Sequence, residues 1–340
     1  MKNSLGVISS MKRRILAVLA AMIGVALLNG CGSTRPDYSS YVYPPPPDTA
    51  RIRLVDIYHS SEDLGRSGWT VLAGESNDNG LREPSGVAFD TSGNIVVADI
   101  RRGVCIFDRT THVMKRYTGG AMRSPVAVAV DRSNQIYVAD SREKAVLLLN
   151  GEGDFKGPFG SVTSYEMPVG IVLDEKRGRM YVSDSKKNMV YILSMKGDSI
   201  GNYGHTADTS ISFNKPTHLA LDSAGNLYIS DVMNFRIVEI APDGKLKLKV
   251  GKIGDALGQF GRPRGVAVDR DNHIWAADGI FHYFQVFNDQ GKVMTYIGQN
   301  GHMPGQFDSP AGMASDGRFI AIVDQLNMRV QLFEYMGEPK

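Results

Sequence analysis

The sequence predicts an all-β protein that folds as a six-bladed β-propeller, and two observations predict this fold. A short segment that starts with proline and ends with aspartate occurs six times, at a spacing of about 45 residues. The chain is also rich in glycine and in short β-branched runs, with few stretches that have the period of an amphipathic helix. The six segments are Pro84–Asp90, Pro125–Asp131, Pro168–Asp174, Pro216–Asp222, Pro263–Asp269 and Pro310–Asp316.

Repeats one to five each contain four apolar runs and the sixth contains three, and we interpret these runs as the strands of one blade. The proline-led run is the innermost strand, where proline interrupts no hydrogen-bond ladder and a glycine two residues later allows close backbone approach. The third run is typified by Arg236–Ile240, and the fourth ends on glycine in blades one to five, as in Met294–Gly298. One such sheet cannot bury both faces, whereas six around an axis pack on one another. The second run of each repeat ends on an aspartate: Asp99, Asp140, Asp184, Asp231, Asp278 and Asp324.

These six aspartates are predicted to be structural rather than catalytic. Each recurs at the same place, where a carboxylate can accept hydrogen bonds from the backbone N–H groups of the following loop. The motif residues Asn234, Arg236, Asn327 and Arg329 are interpreted in the same way.

The sixth repeat lacks a fourth strand of its own, because the chain ends soon after the third. We expect Trp69–Gly74 to supply it, since this segment precedes the first blade and has the fourth-strand pattern. The propeller would then be closed by an N-terminal strand. Residues 52–58 are predicted to form another strand that flanks the closing one.

The N-terminus has the pattern of an export signal. Lys12, Arg13 and Arg14 precede the apolar run Ile15–Leu28, which is too short for a comfortable transmembrane helix. Leu28-Asn29-Gly30-Cys31 resembles the lipobox of bacterial lipoproteins, which implies that Cys31 is lipidated by palmitate-type acyl chains. An ordinary cleaved signal with an incidental cysteine is the alternative.

The domain organisation predicted from this pattern has three parts. Residues 1–30 are a lipoprotein signal peptide, residues 31–50 are the lipidated cysteine with a flexible Pro/Ser-rich linker, and residues 51–340 are the propeller. Gly32 favours the outer membrane, because aspartate there resembles an inner-membrane retention signal. We therefore expect a protein anchored in the bacterial cell envelope, with its domain in the periplasm or at the cell exterior.

Composition supports neither a nucleic-acid partner nor a disulfide framework, so we expect no nucleic-acid partner. The formal net charge is only +2, which gives no argument for a nucleic-acid partner. With Cys31 assigned to lipid, Cys105 has no partner for a disulfide and is predicted to be a buried core residue.

The repeats resemble the NHL repeat. The pattern Pro-x-Gly-Val-Ala-Val-Asp is followed by Gly-Asn-Ile-Tyr-Val-Ala-Asp and then by Asn-x-Arg-Val, and blade four comes closest with Gly225–Asp231, Asn234 and Arg236. The resemblance covers residues 84–335 and implies a six-bladed propeller. It carries almost no information on function, because propellers of this type serve many roles.

Function is expected where the repeats differ. The loops before each first-strand proline and after each second-strand aspartate lie on one face, which we call the top face. There a basic arc from blades one to three is predicted opposite an apolar arc from blades four and five, a combination that suits a protein, peptide or polysaccharide partner. A solvated set of loops without a partner is the alternative. The basic arc contains Arg101, Arg102, Arg142, Lys144, Lys186 and Lys187, and the apolar arc Val232, Met233, Phe235, Ile280, Phe281 and Tyr283. Arg264 is a further candidate binding residue.

Four histidines, His205, His218, His282 and His302, also map to the top face, and His218 replaces the glycine found at its position in most repeats. Converging imidazoles can bind zinc, so the alternative function is a metal-dependent lyase or hydrolase around His218, with zinc or calcium as cofactor. Propeller lyases that amidate peptides carry a Pro-His pattern, which is absent here. No nucleophile elbow, Cys-x-x-Cys, phosphate loop or His-Glu-x-x-His occurs. We therefore predict no catalytic residue and no cofactor for the main hypothesis, which is a membrane-anchored binding or scaffold propeller.

Overall fold

The computed structural model describes residues 36–60, 80–110, 113–120, 122–160, 164–204 and 211–337. The predicted all-β class is confirmed, since this part of the chain forms strands and only two short 3₁₀ turns, Glu175–Arg177 and Val232–Asn234. Within it, no helix has the length and apolar character needed to cross a membrane.

The strands group into six antiparallel sheets, five of them with four strands in chain order. The first blade consists of β3 (Pro84–Phe89), β4 (Ile95–Asp99), β5 (Gly103–Asp108) and β6 (Val113–Tyr117). The second consists of β7 (Pro125–Val130), β8 (Ile136–Asp140), β9 (Ala145–Leu149) and β10 (Phe155–Phe159). The third consists of β11 (Pro168–Asp174), β12 (Arg179–Asp184), β13 (Met189–Ser194) and β14 (Ser199–Tyr203).

The remaining blades continue this order. The fourth consists of β15 (Pro216–Leu221), β16 (Leu227–Asp231), β17 (Arg236–Ile240) and β18 (Leu246–Val250). The fifth consists of β19 (Pro263–Val268), β20 (Ile274–Asp278), β21 (Tyr283–Phe287) and β22 (Val293–Ile297). The sixth contains β23 (Pro310–Ser315), β24 (Phe319–Asp324) and β25 (Arg329–Tyr335), joined by β2 (Ile52–Tyr58) and the short β1 (Val42–Tyr43). The predicted six blades with four strands each are thus confirmed.

The register of each blade places the prolines and the aspartates at one end. Pro84 pairs with Asp99, and the same pairing recurs in the other five blades. Immediately after each proline the register shifts, which marks a bulge at the start of every inner strand. A bulge re-aims the side chains beside it, so the residues after the prolines leave the regular alternation. This end of the sheets carries the top face.

The inner strands approach one another closely around the channel, as the glycines predict. A Cβ atom on Gly86 would lie 2.6 Å from the Cα atom of Ala127 in the next inner strand, and one on Gly312 would lie 2.5 Å from the carbonyl oxygen of Ser85. Such distances leave room only for a hydrogen atom. Below this level the channel encloses about 270 Å³ lined mainly by apolar side chains of all six inner strands.

The core lies between adjacent blades. Between blades five and six, the rings of Trp275 and Phe284 stack at 5.3 Å, and Phe284 meets Phe333 edge to face at 5.4 Å. Cys105 is buried between blades one and six, as predicted, and this burial raises the pKa of its thiol to about 12. A thiol in such a place is a packing residue and not a reactive group.

The strand that occupies the fourth position of the sixth blade is not the predicted one. β2 pairs antiparallel with β25, with Ile52 opposite Tyr335 and Leu54 opposite Phe333. The prediction assigned this place to Trp69–Gly74, a segment outside the described residues, and residues 52–58 to a flanking position. The physical reason for the difference is burial: Ile52, Leu54, Ile57 and Tyr58 are all buried against the last blade.

Part of the predicted flexible linker also packs on the propeller. Val42 and Tyr43 form β1, which pairs with β2 and extends the last sheet to five strands. Tyr38, Tyr41 and Tyr43 pack against the core between blades five and six. The prediction of a flexible linker rested on the prolines and serines of this segment. Its tyrosines, however, supply the apolar area that holds it against the propeller.

Candidate functional site

The top-face loops are built on buried carboxylates. Asp99 accepts hydrogen bonds from the backbone N–H groups of Arg82 and Glu83 before β3 and from those of Arg101 and Arg102 after β4, at 2.7 to 3.1 Å. Asp140, Asp184 and Asp278 repeat this pattern in their blades. Each aspartate therefore ties together the two loops of its blade, and the structural interpretation of these residues is confirmed.

In blades four and six an arginine completes the carboxylate site. Arg236 Nε donates to Asp231 at 2.9 Å, and Arg329 Nε donates to Asp324 at 2.6 Å. Asn234 and Asn327 donate to the same aspartates, as the motif predicts. Burial raises the pKa of Asp324 although these donors act to lower it. This carboxylate is therefore strongly desolvated and depends on its partners.

The residues of the predicted basic arc lie in the loops after β4, β8 and β12. Arg101 forms an ion pair with Glu83 and Lys186 one with Glu166, each at 3.0 Å. Within the described parts of the chain, Arg142, Lys144 and Lys187 form no ion pair. Arg102 is half-buried. Glutamates thus neutralise part of the arc, which makes it less positive than the sequence pattern indicates.

The residues of the predicted apolar arc divide into two groups. Ile280 is 50% exposed, and the rings of Phe281 and Tyr283 stack at 5.8 Å beside it. Phe235 instead packs against the core between blades four and five, and Val232 is buried. Phe235 has a φ of +55°, which ends the 3₁₀ turn before it. In blade four Met233 is the exposed residue of this arc, at 45%.

Sequence reasoning missed apolar side chains in blade six. Leu326 and Met328, in the loop after β24, are 61% and 43% exposed. Met303, in the loop before β23, is exposed as well. The repeated motif includes Asn327 and Arg329 but not their neighbours Leu326 and Met328, although the apolar-polar alternation of Leu326-Asn327-Met328 is visible in the sequence.

A groove lies where blade six meets blade one. It encloses about 570 Å³ and joins apolar side chains of blade six to charged side chains of blade one. Its lining comprises Arg82, Glu83, Arg101, Arg102, Gln325, Leu326 and Met328. The groove thus joins Arg101 and Arg102 of the basic arc to apolar side chains of blade six that lie outside the predicted apolar arc.

Arg264 lies apart from both arcs, at the top end of the inner strand β19. We call the ring of residues directly after the six prolines the channel mouth: Ser85, Val126, Val169, Thr217, Arg264 and Ala311. Arg264 Nη1 donates to Ser309 Oγ at 3.1 Å and to Gln325 Oε1 at 3.0 Å. Burial and the nearby positive charge of Arg262 lower the pKa of Arg264 to about 10.

The histidines occupy separate environments. His218 lies in β15, with Nδ1 3.3 Å from Thr217 Oγ1, and burial lowers its pKa to about 3. His282 Nδ1 accepts from the N–H of Ser309 at 3.1 Å, and His302 is exposed in the loop before β23. His205 lies outside the described residues. Within the residues that the structure describes, no three His, Cys, Asp or Glu side chains come together as a metal site.

Comparison of the chain with protein-family models finds no match, and comparison with curated proteins finds none. Solved structures do match. Virginiamycin B lyase from Staphylococcus aureus has a TM-score of 0.57 and 13% identity, covering 83% of this chain and 99% of that one. A gluconolactonase from Xanthomonas campestris has a TM-score of 0.60 and 16% identity, covering 83% and 98%.

A third match is an auxiliary nutrient binding protein from Bacteroides thetaiotaomicron, with a TM-score of 0.61 and 13% identity over 77% of this chain and 71% of that chain. Two of these three proteins are named as enzymes and one as a binding protein, although they share one fold. At identities this low, the likeness shows that the chain is a six-bladed β-propeller and bears on the fold alone.

Proposed function

We propose that this protein is a lipid-anchored binding protein of the bacterial cell envelope, whose top face binds an extended segment of a protein or peptide. The observation that carries the proposal is the distribution of exposed apolar side chains in the described residues. Most of the exposed large apolar side chains lie in top-face loops, although the outer walls of the propeller also have a large exposed area. The top-face members are Met167, Met233, Ile253, Leu257, Ile280, Met303, Leu326 and Met328.

The chemistry of this surface favours a protein or peptide over a polysaccharide. The exposed groups are aliphatic or methionine side chains, which adapt to apolar side chains of a partner. The groove between blades six and one adds charges beside them, as Arg101 and Glu83 line it with Leu326 and Met328. An amphipathic segment would place its apolar side chains on blade six and its polar ones on blade one.

The anchor is tested by changing Cys31 to serine. We expect the variant to move from the membrane fraction to the soluble fraction of the envelope, because two or three acyl chains hold a domain on a membrane and the variant has none. Cell fractionation followed by immunoblotting measures this. Cys105→Ser is the matched control, since Cys105 is buried in the core and its replacement leaves the lipid site intact. If Cys31→Ser stayed with the membrane, the lipid anchor would be wrong.

The binding face is tested by photo-crosslinking in the cells that make the protein. A photoreactive phenylalanine analogue is placed at Ile280 or Leu326 on the top face, and at Val113 or Met294 on the outer strands. These positions have comparable exposure, 50% and 61% against 45% and 42%. We expect discrete adducts from the two top-face positions only, with the crosslinked protein identified by mass spectrometry.

A double substitution in the groove tests whether the adducts depend on the apolar side chains of blade six. Leu326→Glu combined with Met328→Glu introduces charge into the groove without touching the core, and should reduce the adduct at Ile280 by at least tenfold. Equal adducts from the top face and the outer strands would contradict the proposal. Adducts with a polysaccharide would mean that the partner is a polysaccharide and not a protein or peptide.

A further inference from the structure

Two exceptional residues lie at the top ends of neighbouring inner strands. Arg264 is the one charged residue among the six that directly follow the prolines. His218 stands where the inner strands of most other blades have glycine. They belong to β15 and β19, the inner strands of consecutive blades, and the charge of Arg264 contributes to lowering the pKa of His218. The two exceptions therefore occupy neighbouring positions around the channel.

The guanidinium of Arg264 is positioned but not neutralised. Its two hydrogen bonds from Nη1 go to the neutral acceptors Ser309 Oγ and Gln325 Oε1. Gln325 Nε2 in turn donates to the carbonyl oxygen of Pro84 at 3.1 Å, which fixes the amide across blades six and one. No carboxylate of the described chain lies within ion-pair distance of Arg264, whereas Arg236 and Arg329 each face a buried aspartate.

His218 adds a polar atom that has no protein partner among the described residues. Its Nε2 atom is buried, and no described residue forms a hydrogen bond with it. With its pKa lowered to about 3, the ring is neutral at neutral pH. When Nδ1 accepts the hydrogen of the Thr217 hydroxyl, 3.3 Å away, Nε2 carries the ring proton and becomes a donor. The site then combines one positive charge with one neutral donor.

We propose that the channel mouth binds a carboxylate group of a small ligand or chain end, with Arg264 as its charge partner and His218 Nε2 as a second donor. Arg264 is half-buried and has no counter-ion among the described residues, which is costly, and a bound anion offsets part of that cost. The single positive charge matches a carboxylate monoanion better than a phosphate dianion. The guanidinium also presents several donors in a plane that fits two carboxylate oxygens. The channel below is lined by apolar side chains apart from Glu175 and Ser315, and the carboxylate of Glu175 is not a favourable partner for an anion.

This proposal does not rest on the proposed binding of a protein or peptide, although Gln325 also lines the groove, and its test uses acetate as the probe. Purified protein spanning residues 32–340 with ¹³C-labelled histidine is titrated with sodium acetate at constant ionic strength, with chloride as the balancing ion. We expect a saturable shift of the His218 ring signal and a rise in the melting temperature with acetate, because a ligand that binds only the folded state stabilises it.

Arg264→Gln should weaken acetate binding at least tenfold, while Arg262→Gln, a neighbouring exposed position, should keep it within about threefold. The unliganded Arg264→Gln protein should melt at or above the wild-type temperature, because glutamine keeps the size and removes an uncompensated charge. A purely structural arginine would instead lower it. The proposal is overturned by a non-saturable response, by equal acetate affinity in Arg264→Gln, or by tighter binding of inorganic phosphate than of acetate.

Discussion

Replacement of Arg329 by leucine is expected to lower the free energy of unfolding by about 3–5 kcal/mol at neutral pH, the range for breaking a buried ion pair by removing one partner. The side chain of Arg329 is 4% exposed and that of Asp324 is fully buried. The guanidinium also donates to the carbonyl oxygens of His302, Met303 and Gln306 at 2.7 to 2.9 Å. Leucine leaves the carboxylate and these carbonyls without their donor. Denaturant unfolding followed by circular dichroism measures the loss.

The loss should depend on pH, with a sign set by the pKa of Asp324. Burial already holds this pKa above its ordinary value in the folded protein, and removal of Arg329 raises it further. The folded variant then binds a proton that the unfolded chain does not bind. Its stability therefore rises as the pH falls through the folded pKa toward the ordinary pKa of aspartate. The deficit against the wild type should be largest at neutral pH and smaller in mild acid.

Blade four provides a matched control for this variant. Arg236 has the same place in the motif and pairs with the fully buried Asp231, but its side chain is 20% exposed. Arg236→Leu should therefore cost less, because water can reach the site. Adding Asp324→Asn to Arg329→Leu should recover part of the loss, since the uncompensated charge is removed. Equal losses at the two arginines, with no effect of pH, would contradict the role assigned to the buried pair.

The parts of the fold that repeat could be predicted from the sequence. The six prolines and six aspartates mark the ends of paired strands, and each occurs at a fixed place in every blade. Six copies of one pattern allow each blade to support the interpretation of the others. The capping role of Asp99 and its equivalents followed from the same argument, because a catalytic residue has no reason to recur six times.

The parts that occur once could not be predicted in the same way. The closing strand has no equivalent in the repeats, so the pattern of the other fourth strands favoured Trp69–Gly74, which ends on glycine. Phe235 was assigned to the rim, but its left-handed backbone aims the ring at the core between two blades. Arg264 and His218 each depart from the repeat pattern in the sequence. That they lie on neighbouring inner strands follows from the order of the blades around the channel.

Removal of residues 1–59 is expected to abolish cooperative folding, because it deletes β2 from the last blade. This strand buries Ile52, Leu54, Ile57 and Tyr58. Burial of one such side chain contributes about 1.5–3 kcal/mol, so four contribute on the order of 6–12 kcal/mol. That sum is comparable with the total stability of a typical domain, about 5–15 kcal/mol. The free edge of β25 would also be available to pair with other chains, which leads to aggregation.

Two shorter truncations locate the effect in the strand. A chain that begins at residue 36 keeps β1 and β2, and its melting temperature should equal that of the chain that begins at residue 32. A chain that begins at residue 51 loses β1 and the packing of Tyr38 and Tyr41, and should fold with a lower melting temperature. Circular dichroism and size-exclusion chromatography distinguish a folded monomer from an aggregate in each case.

The outcome also decides between the two segments considered for the closing position. A chain that begins at residue 60 retains Trp69–Gly74, the segment favoured by the repeat pattern, and differs from the chain that begins at residue 51 by the loss of β2, which pairs with β25 in the structure. A monomeric product with an unchanged melting temperature would mean that Trp69–Gly74 can take the fourth place in the last blade. Aggregation of this chain, together with normal folding of the chain from residue 36, would mean that burial of apolar side chains selects the closing strand. A terminal glycine like that of the other fourth strands would then not identify the strand that closes the ring.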